Sequence, residues 1–129
     1  MKEAPEKSLE EVVREDGRYP LEAFAFLNEA LGRAVKDIHG SASEEGPHHV
    51  SGQQLCRALR EEARDRWGML APAVLGRWNI HGSIDFGRMV YLLVENRIMS
   101  KTEEDSIEDF RDVFDFDQAF SAEQVFGSN

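Results

Sequence analysis

The densest group of side chains that could do chemistry lies in residues 99–120, MSKTEEDSIEDFRDVFDFDQAF, where carboxylates fall among phenylalanines. Carboxylate oxygens are the ligands of hard cations, and an EF-hand loop needs them at positions 1, 3, 5 and 12, with glycine at position 6. In a loop that starts at Asp115, Ala119 stands at the fifth position and Phe126 at the twelfth, so the spacing excludes an EF-hand. The acids are therefore interpreted as a solvated, self-repelling surface.

Histidine and cysteine are the next candidates, because imidazole nitrogens and thiolates bind zinc. The spacing of the four histidines and the one cysteine matches no C-x-x-C pattern and no pair of histidines four residues apart on a helix. His48 and His49, adjacent in a Gly-Pro loop, are the weak metal candidates, whereas Cys56 falls on the apolar face of a predicted helix. Phosphate-binding glycine motifs and the serine-hydrolase elbow are absent as well. The sequence therefore predicts no catalytic residue and no cofactor.

Three arginines could contact a nucleic acid, because they share one face of the third predicted helix: Arg57, Arg60 and Arg64. The chain as a whole carries a net charge of −10, and residues 101–129 hold nine acids against two bases. Such a chain repels phosphate at long range. A nucleic-acid-associated regulator is therefore an alternative, weaker than a protein partner.

Composition limits the class of protein further. A length of 129 residues suits one domain, and 41% hydrophobic and 31% charged residues are ordinary for a soluble globular chain. The single cysteine excludes an internal disulfide, and the N-terminus lacks the apolar region of a signal peptide. No apolar run approaches the roughly 20 residues that cross a bilayer. These features predict a cytoplasmic protein with no membrane partner.

Helical periodicity dominates the first hundred residues. Capping boxes begin helices at Ser8 and Ser51, and Pro20 suits the first turn of the helix between them. Two more helices, one starting at Pro72 and one capped by Ser83, are joined by a short turn that contains glycine. The second helix has the clearest apolar stripe, which consists of Leu21, Phe24, Leu27, Leu31, Val35 and Ile38.

The periodicity changes after residue 97. Residues 98–101 predict a short strand, and the alternation from Val113 predicts a second strand. Phe114 and Phe116 would then face the core while Asp115 and Asp117 face outward.

This order of elements predicts a mainly α fold with a small C-terminal β-hairpin, winged-helix-like in its second half. Residues 98–117 would be the wing. We divide the chain into a short N-terminal helical segment at 1–18, a compact domain at 19–120 and a tail at 121–129.

An acidic wing would repel DNA, so the sequence favours a non-enzymatic protein–protein interaction module. The partner would be a basic protein, because charge complementarity steers encounter, or else a second copy of the chain. A nucleic-acid regulator and a metal-dependent enzyme or metal sensor stay open as alternatives. Besides the three arginines, the interaction candidates are Glu103, Glu104, Asp105, Glu108, Asp109, Asp115 and Asp117.

Four stretches together resemble a family of small uncharacterised bacterial proteins, conserved hypotheticals first described from planctomycetes and verrucomicrobia. The resemblance covers residues 19–120, and it implies a bacterial single-domain protein. No activity or site residue is known for that family, so none is transferred. The stretches are YPLEAFAFLNEAL (19–31), HVSGQQLC (49–56), MVYLLVENRIMSKTEED (89–105) and DVFDFDQAF (112–120).

Overall fold

The computed structural model describes residues 6–40 and 49–127, and every regular element in these two ranges is helical. Two single-turn 3₁₀ helices, at Gly68–Leu70 and Ile107–Phe110, connect longer elements. The α-helices are α1 (Leu9–Asp16), α2 (Leu21–His39), α3 (Gly52–Trp67), α4 (Ala71–Arg77), α5 (Ser83–Glu95), α6 (Phe116–Ala119) and α7 (Ala122–Phe126).

The predicted starts of α1 and α3 are confirmed by their capping bonds. The Ser8 hydroxyl accepts a bond from the Glu11 N–H at 3.1 Å, and the Glu11 carboxylate accepts one from the Ser8 N–H at 3.1 Å. Ser51 and Gln54 repeat the arrangement at α3, at 3.1 and 2.9 Å. These bonds satisfy N–H groups that have no partner inside their helix.

The core lies where α2, α3 and α5 meet, and the prediction for α2 was partly wrong. Leu21 and Ile38, the two ends of the predicted stripe, are 44% and 40% exposed. Three alanines that the stripe omitted, at 23, 30 and 34, are at most 1% exposed. Phe26, which the stripe also omitted, is 1% exposed, so the buried face of α2 is rotated from the predicted stripe and includes both small and large side chains.

The predicted β-hairpin and the winged-helix second half were wrong, because the structure has no strand in the ranges that it describes. Residues 98–101 were predicted to form the first strand, but the backbone at the start of this segment instead terminates α5. Ile98 N–H donates to the Leu93 carbonyl at 2.8 Å and Arg97 N–H to the Val94 carbonyl at 3.0 Å, with Arg97 at φ 63°. This Schellman motif uses the N–H group that a hairpin would need.

Residues 98–113, which we call the strap, cross α5 and the start of α3 instead of forming a wing. Phe110 is the anchor of the strap and is 3% exposed. A β-carbon added at Gly52 or Gly87 would lie 2.8 Å from an atom of Phe110, so these glycines form the slot that receives its ring. Ser83 also holds the strap: its hydroxyl donates to the Phe110 carbonyl at 2.6 Å and accepts from the Val113 N–H at 2.9 Å. Ser83 is therefore not the cap of α5.

The alternation at residues 113–117 has a helical explanation. Asp115 has an extended backbone because it is the N-cap of α6, and its carboxylate accepts a bond from the Gln118 N–H at 2.9 Å. Phe116 is buried and Phe114 is half-buried against the core, while Asp117 is exposed. The expected inward and outward faces occur, but in a capped helical turn.

Candidate functional site

A cavity of about 470 Å³ lies between the start of α3, the end of α5 and the strap, and we call it the α3–α5 cavity. Its apolar lining includes Leu31, Val50, Leu55, Val90, Tyr91, Ile98 and Phe110. Its polar lining includes His49, Ser51, Lys101, Thr102, Asp105, Ser106 and Asp109. A mostly apolar pocket with a few converging polar groups is the usual form of a binding site.

Two carboxylates of the strap, those of Asp105 and Asp109, are held at this cavity by hydrogen bonds from backbone N–H groups of the strap itself. Asp105 accepts a bond from the Thr102 N–H at 2.8 Å, and Asp109 accepts one from the Ser106 N–H at 3.0 Å. Each bond uses one carboxylate oxygen. The backbone therefore orients both acids.

The cavity is more negative than positive at neutral pH. His49 Nε2 lies 3.3 Å from the second oxygen of Asp105, while Lys101 donates to the Thr102 carbonyl at 3.3 Å. Asp109 has no cationic partner in the parts of the chain that the structure describes. Burial raises the pKa of Tyr91, and the charges of Asp105 and Asp109 raise it further, which reports the negative potential there.

The other predicted acids do not join this site. Glu108 is paired with Arg111, with Oε1 and Nε 2.6 Å apart, and Asp115 caps α6. Glu103, Glu104 and Asp117 are exposed, and none lines the cavity. Of the seven acids proposed for interaction, only Asp105 and Asp109 converge.

The three arginines of α3 lie away from the cavity. Arg57 is exposed, whereas Arg60 and Arg64 are half-buried. Within the described ranges none of the three forms an ion pair, and the Nε of Arg60 is buried without a hydrogen-bond partner. The structure holds no nucleic acid that would test their predicted role, which stays a prediction.

Of the two histidines predicted as weak metal candidates, His48 lies outside the residues that the structure describes. Inside them, no group of three or more histidine, cysteine or acidic side chains is arranged to hold a metal ion. Cys56 is buried, and burial raises its pKa to about 12. The thiol is therefore protonated at neutral pH and is a poor nucleophile.

Sequence reasoning missed a buried network at the start of α5. Asp85, 7% exposed, accepts bonds from the Tyr19 hydroxyl at 2.6 Å, from Arg88 Nη1 at 2.8 Å and from the His81 N–H at 2.8 Å. Burial raises the pKa of Asp85, but these three donors outweigh it and hold the pKa below its ordinary value. The signal in the sequence was an acid three residues after Gly82, the N-terminal spacing of a capping box.

This network positions helices rather than doing chemistry. Burial and the bond to Asp85 raise the pKa of Tyr19 to about 12, so the phenol stays protonated and acts as a donor. Both carboxylate oxygens of Asp85 are occupied by protein groups. The network ties the start of α2 to the start of α5.

No family model matches the chain, and neither the curated proteins nor the solved structures contain a significant match. The resemblance to a bacterial family therefore stays a prediction. In the described ranges, no helix combines the length and the apolar character needed to cross a membrane.

Proposed function

We propose that this chain is a non-enzymatic binding module that receives a basic side chain of a partner protein in the α3–α5 cavity. Lysine and arginine carry a cation on an aliphatic stem. The stem would cover apolar lining such as Ile98 and Leu31, and the cation would reach the carboxylate of Asp109. A charge-assisted hydrogen bond of this kind is roughly twice as strong as a neutral one.

The observation that carries the proposal is the convergence of Asp105, Asp109 and Tyr91 on one partly apolar cavity. Burial is the main cause of the raised pKa of Tyr91, but the charges of Asp105 and Asp109 contribute to it, and these two charges also favour a cation at the cavity. Lys101 lies at the same cavity, but its ammonium group is directed to the Thr102 carbonyl.

Binding is favoured over acyl transfer at Ser51 and Ser106, because the hydroxyl groups of these two lining residues serve as helix caps. Ser51 Oγ accepts from the Gln54 N–H at 3.1 Å, and Ser106 Oγ accepts from the Glu108 N–H at 3.2 Å. A nucleophilic serine needs a base within hydrogen-bond reach, and in the described ranges no hydrogen bond joins the ring of His49 to Ser51 or Ser106.

The test is a selection from a displayed library of random peptides of about twelve residues, with the wild-type chain as bait. We expect enriched peptides to share a lysine or arginine beside an apolar residue, because the cavity has both surfaces. Their affinity for Asp109→Asn should fall about tenfold, since asparagine can still cap Ser106 N–H but lacks the charge.

Glu104→Gln is the matched control, because Glu104 is an exposed acid of the same strap that does not line the cavity. It should bind the selected peptides as the wild type does. Enriched peptides without a basic residue, or equal binding to Asp109→Asn, would contradict the proposal. We propose that the module acts in the cytoplasm and that its partner is a different protein. Light scattering of the purified chain tests the alternative of a homodimer.

A further inference from the structure

A second cavity, of about 490 Å³, lies between the turn that joins α1 to α2 and the turn that joins α4 to α5. We call it the arginine cavity, because Arg14, Arg18 and Arg77 line it and Glu10 is the one acid in its lining. It shares no residue with the α3–α5 cavity. In a chain with a net charge of −10, three guanidinium groups at one cavity produce a local reversal of charge.

Two of these arginines have guanidinium groups that no carboxylate within the described ranges pairs with. Arg14 and Arg77 are exposed, and neither forms an ion pair within the described ranges. Arg18 is fixed, because its Nη2 lies 2.9 Å from a carboxylate oxygen of Asp16 and its guanidinium carbon lies 5.6 Å from the centre of the Tyr19 ring. A guanidinium group offers five N–H donors in a planar fork that matches a carboxylate or phosphate.

The two turns that form the cavity are joined to each other. Asn79 adopts φ 66°, and a Schellman motif forms around it: Ile80 N–H donates to the Leu75 carbonyl at 2.9 Å. The side-chain amide of Asn79 then donates to the Arg18 carbonyl at 3.2 Å. This bond ties the two turns that frame the cavity, so the backbone on both sides of it need not be ordered by a ligand, which lowers the entropic cost of binding.

The rest of the lining includes an apolar surface. Leu21 is 44% exposed, although it begins the apolar pattern of α2, and it lines this cavity together with Val13 and Pro20. Trp78 also lines it, with its ring 5.5 Å from Trp67 and 5.8 Å from Phe26 between ring centres. The indole is thus held by the core.

We propose that the arginine cavity binds a small organic anion. A phosphate or carboxylate group would bind Arg14 and Arg77, and an apolar body would lie against Leu21 and Trp78. Bidentate bonds from arginine to such groups are among the stronger polar contacts in proteins. Because a bare inorganic ion cannot cover the apolar surface, we expect it to be the weaker ligand.

Phenyl phosphate and benzoate are the probes, and backbone and indole N–H resonances in a two-dimensional NMR titration are the readout. Binding should be saturable and should shift the N–H resonances of residues 17–19, 21 and 77–79. Inorganic phosphate should bind more weakly than phenyl phosphate, and benzyl alcohol, which lacks the charge, should cause no saturable shift. Binding of either probe supports the proposal, and the better probe identifies the acid group.

Charge variants test the assignment in both directions. Arg77→Gln should weaken binding of the better probe about tenfold, since one charge-assisted contact is lost. Glu10→Gln should strengthen it about twofold, because it removes the acid that lines the cavity. Arg57→Gln changes the net charge as Arg77→Gln does, on an exposed arginine without an ion pair, and should leave binding unchanged. Absence of saturable binding by both probes, or equal losses in Arg77→Gln and Arg57→Gln, would overturn the proposal.

Discussion

At the scale of single residues, Asp85 connects the start of α2 to the start of α5. It is one of two buried polar or charged residues in the described ranges, the other being Ser83, and both lie in the first turn of α5. A buried carboxylate is tolerated only when its oxygens are hydrogen-bonded. Asp85 meets this condition with a phenol, a guanidinium and a backbone amide, which come from both sides of the α5 N-terminus.

Asp85→Asn should lower the free energy of unfolding by about 3 kcal/mol at neutral pH, because it removes the charge that three donors face. Tyr19→Phe removes one of these bonds and should cost about 1 kcal/mol. Chemical denaturation followed by circular dichroism measures both. Equal stability of Asp85→Asn and wild type would mean that the network contributes nothing to the fold.

The Asp85 contribution should also depend on pH. Its pKa in the folded chain lies below the ordinary value of 3.8, near which the unfolded chain titrates. The unfolded state therefore binds more protons as the pH falls, so the contribution is complete above about pH 5 and is lost through the folded pKa. The stability difference between wild type and Asp85→Asn should shrink steadily as the pH falls below about 5, and a constant difference would contradict this.

The starts of α1 and α3 could be predicted from sequence, whereas the cap of α5 and the path after α5 could not. Ser8 and Ser51 form caps with side chains three residues away, so all the information is local. The strap depends on Phe110 entering a slot between Gly52 and Gly87, and these glycines lie 58 and 23 residues before it. The alternation around Phe114 has the period of a strand. The contact of Phe110 with the two distant glycines and the Asp115 cap favour a helical turn there instead of a strand.

For the candidate sites too, local features could be recognised from the sequence, whereas features that depend on distant contacts could not. The acids were recognisable as a group, but their separate roles were not, since Asp115 caps a helix while Asp109 lines a cavity. Tyr91 and Arg77 had no local pattern that marked them. They became candidates only when helices distant in sequence placed other groups beside them.

The slot for Phe110 predicts that alanine substitutions at two helical glycines, Gly87 and Gly32, change the stability of the chain in opposite directions. Gly87→Ala should destabilise the chain by about 1–2 kcal/mol, because its methyl group would overlap the Phe110 side chain and outweigh the helix propensity of alanine. Gly32→Ala, in α2, has no atom within 4 Å of the new carbon and should stabilise the chain by about 0.5–1 kcal/mol. Thermal unfolding of both variants distinguishes the cases. Stabilisation by both would show that the slot is not closed by Phe110.

Across the whole molecule, the acidic C-terminal segment contributes to the core rather than forming an appended tail. Phe110, Phe116 and Phe120 are each at most 8% exposed and belong to the same buried cluster as the residues of α2, α3 and α5. Phe116 also lies 6.4 Å from Phe86 of α5 between ring centres. The acids interleaved with these rings keep the outer face of the segment charged, so one stretch serves both packing and the cavity.

Ending the chain after Ser100 should therefore abolish cooperative folding. Burial of each phenylalanine contributes about 2–3 kcal/mol, so the loss of three is roughly 6–9 kcal/mol, against a total stability of about 5–15 kcal/mol for a domain. A chain that ends after Ser121 lacks α7, whose Phe126 is 76% exposed, and should unfold cooperatively within a few degrees of the full chain. Scanning calorimetry measures both. A sharp transition in the shorter chain would show that the helices before the strap form a core without the C-terminal rings.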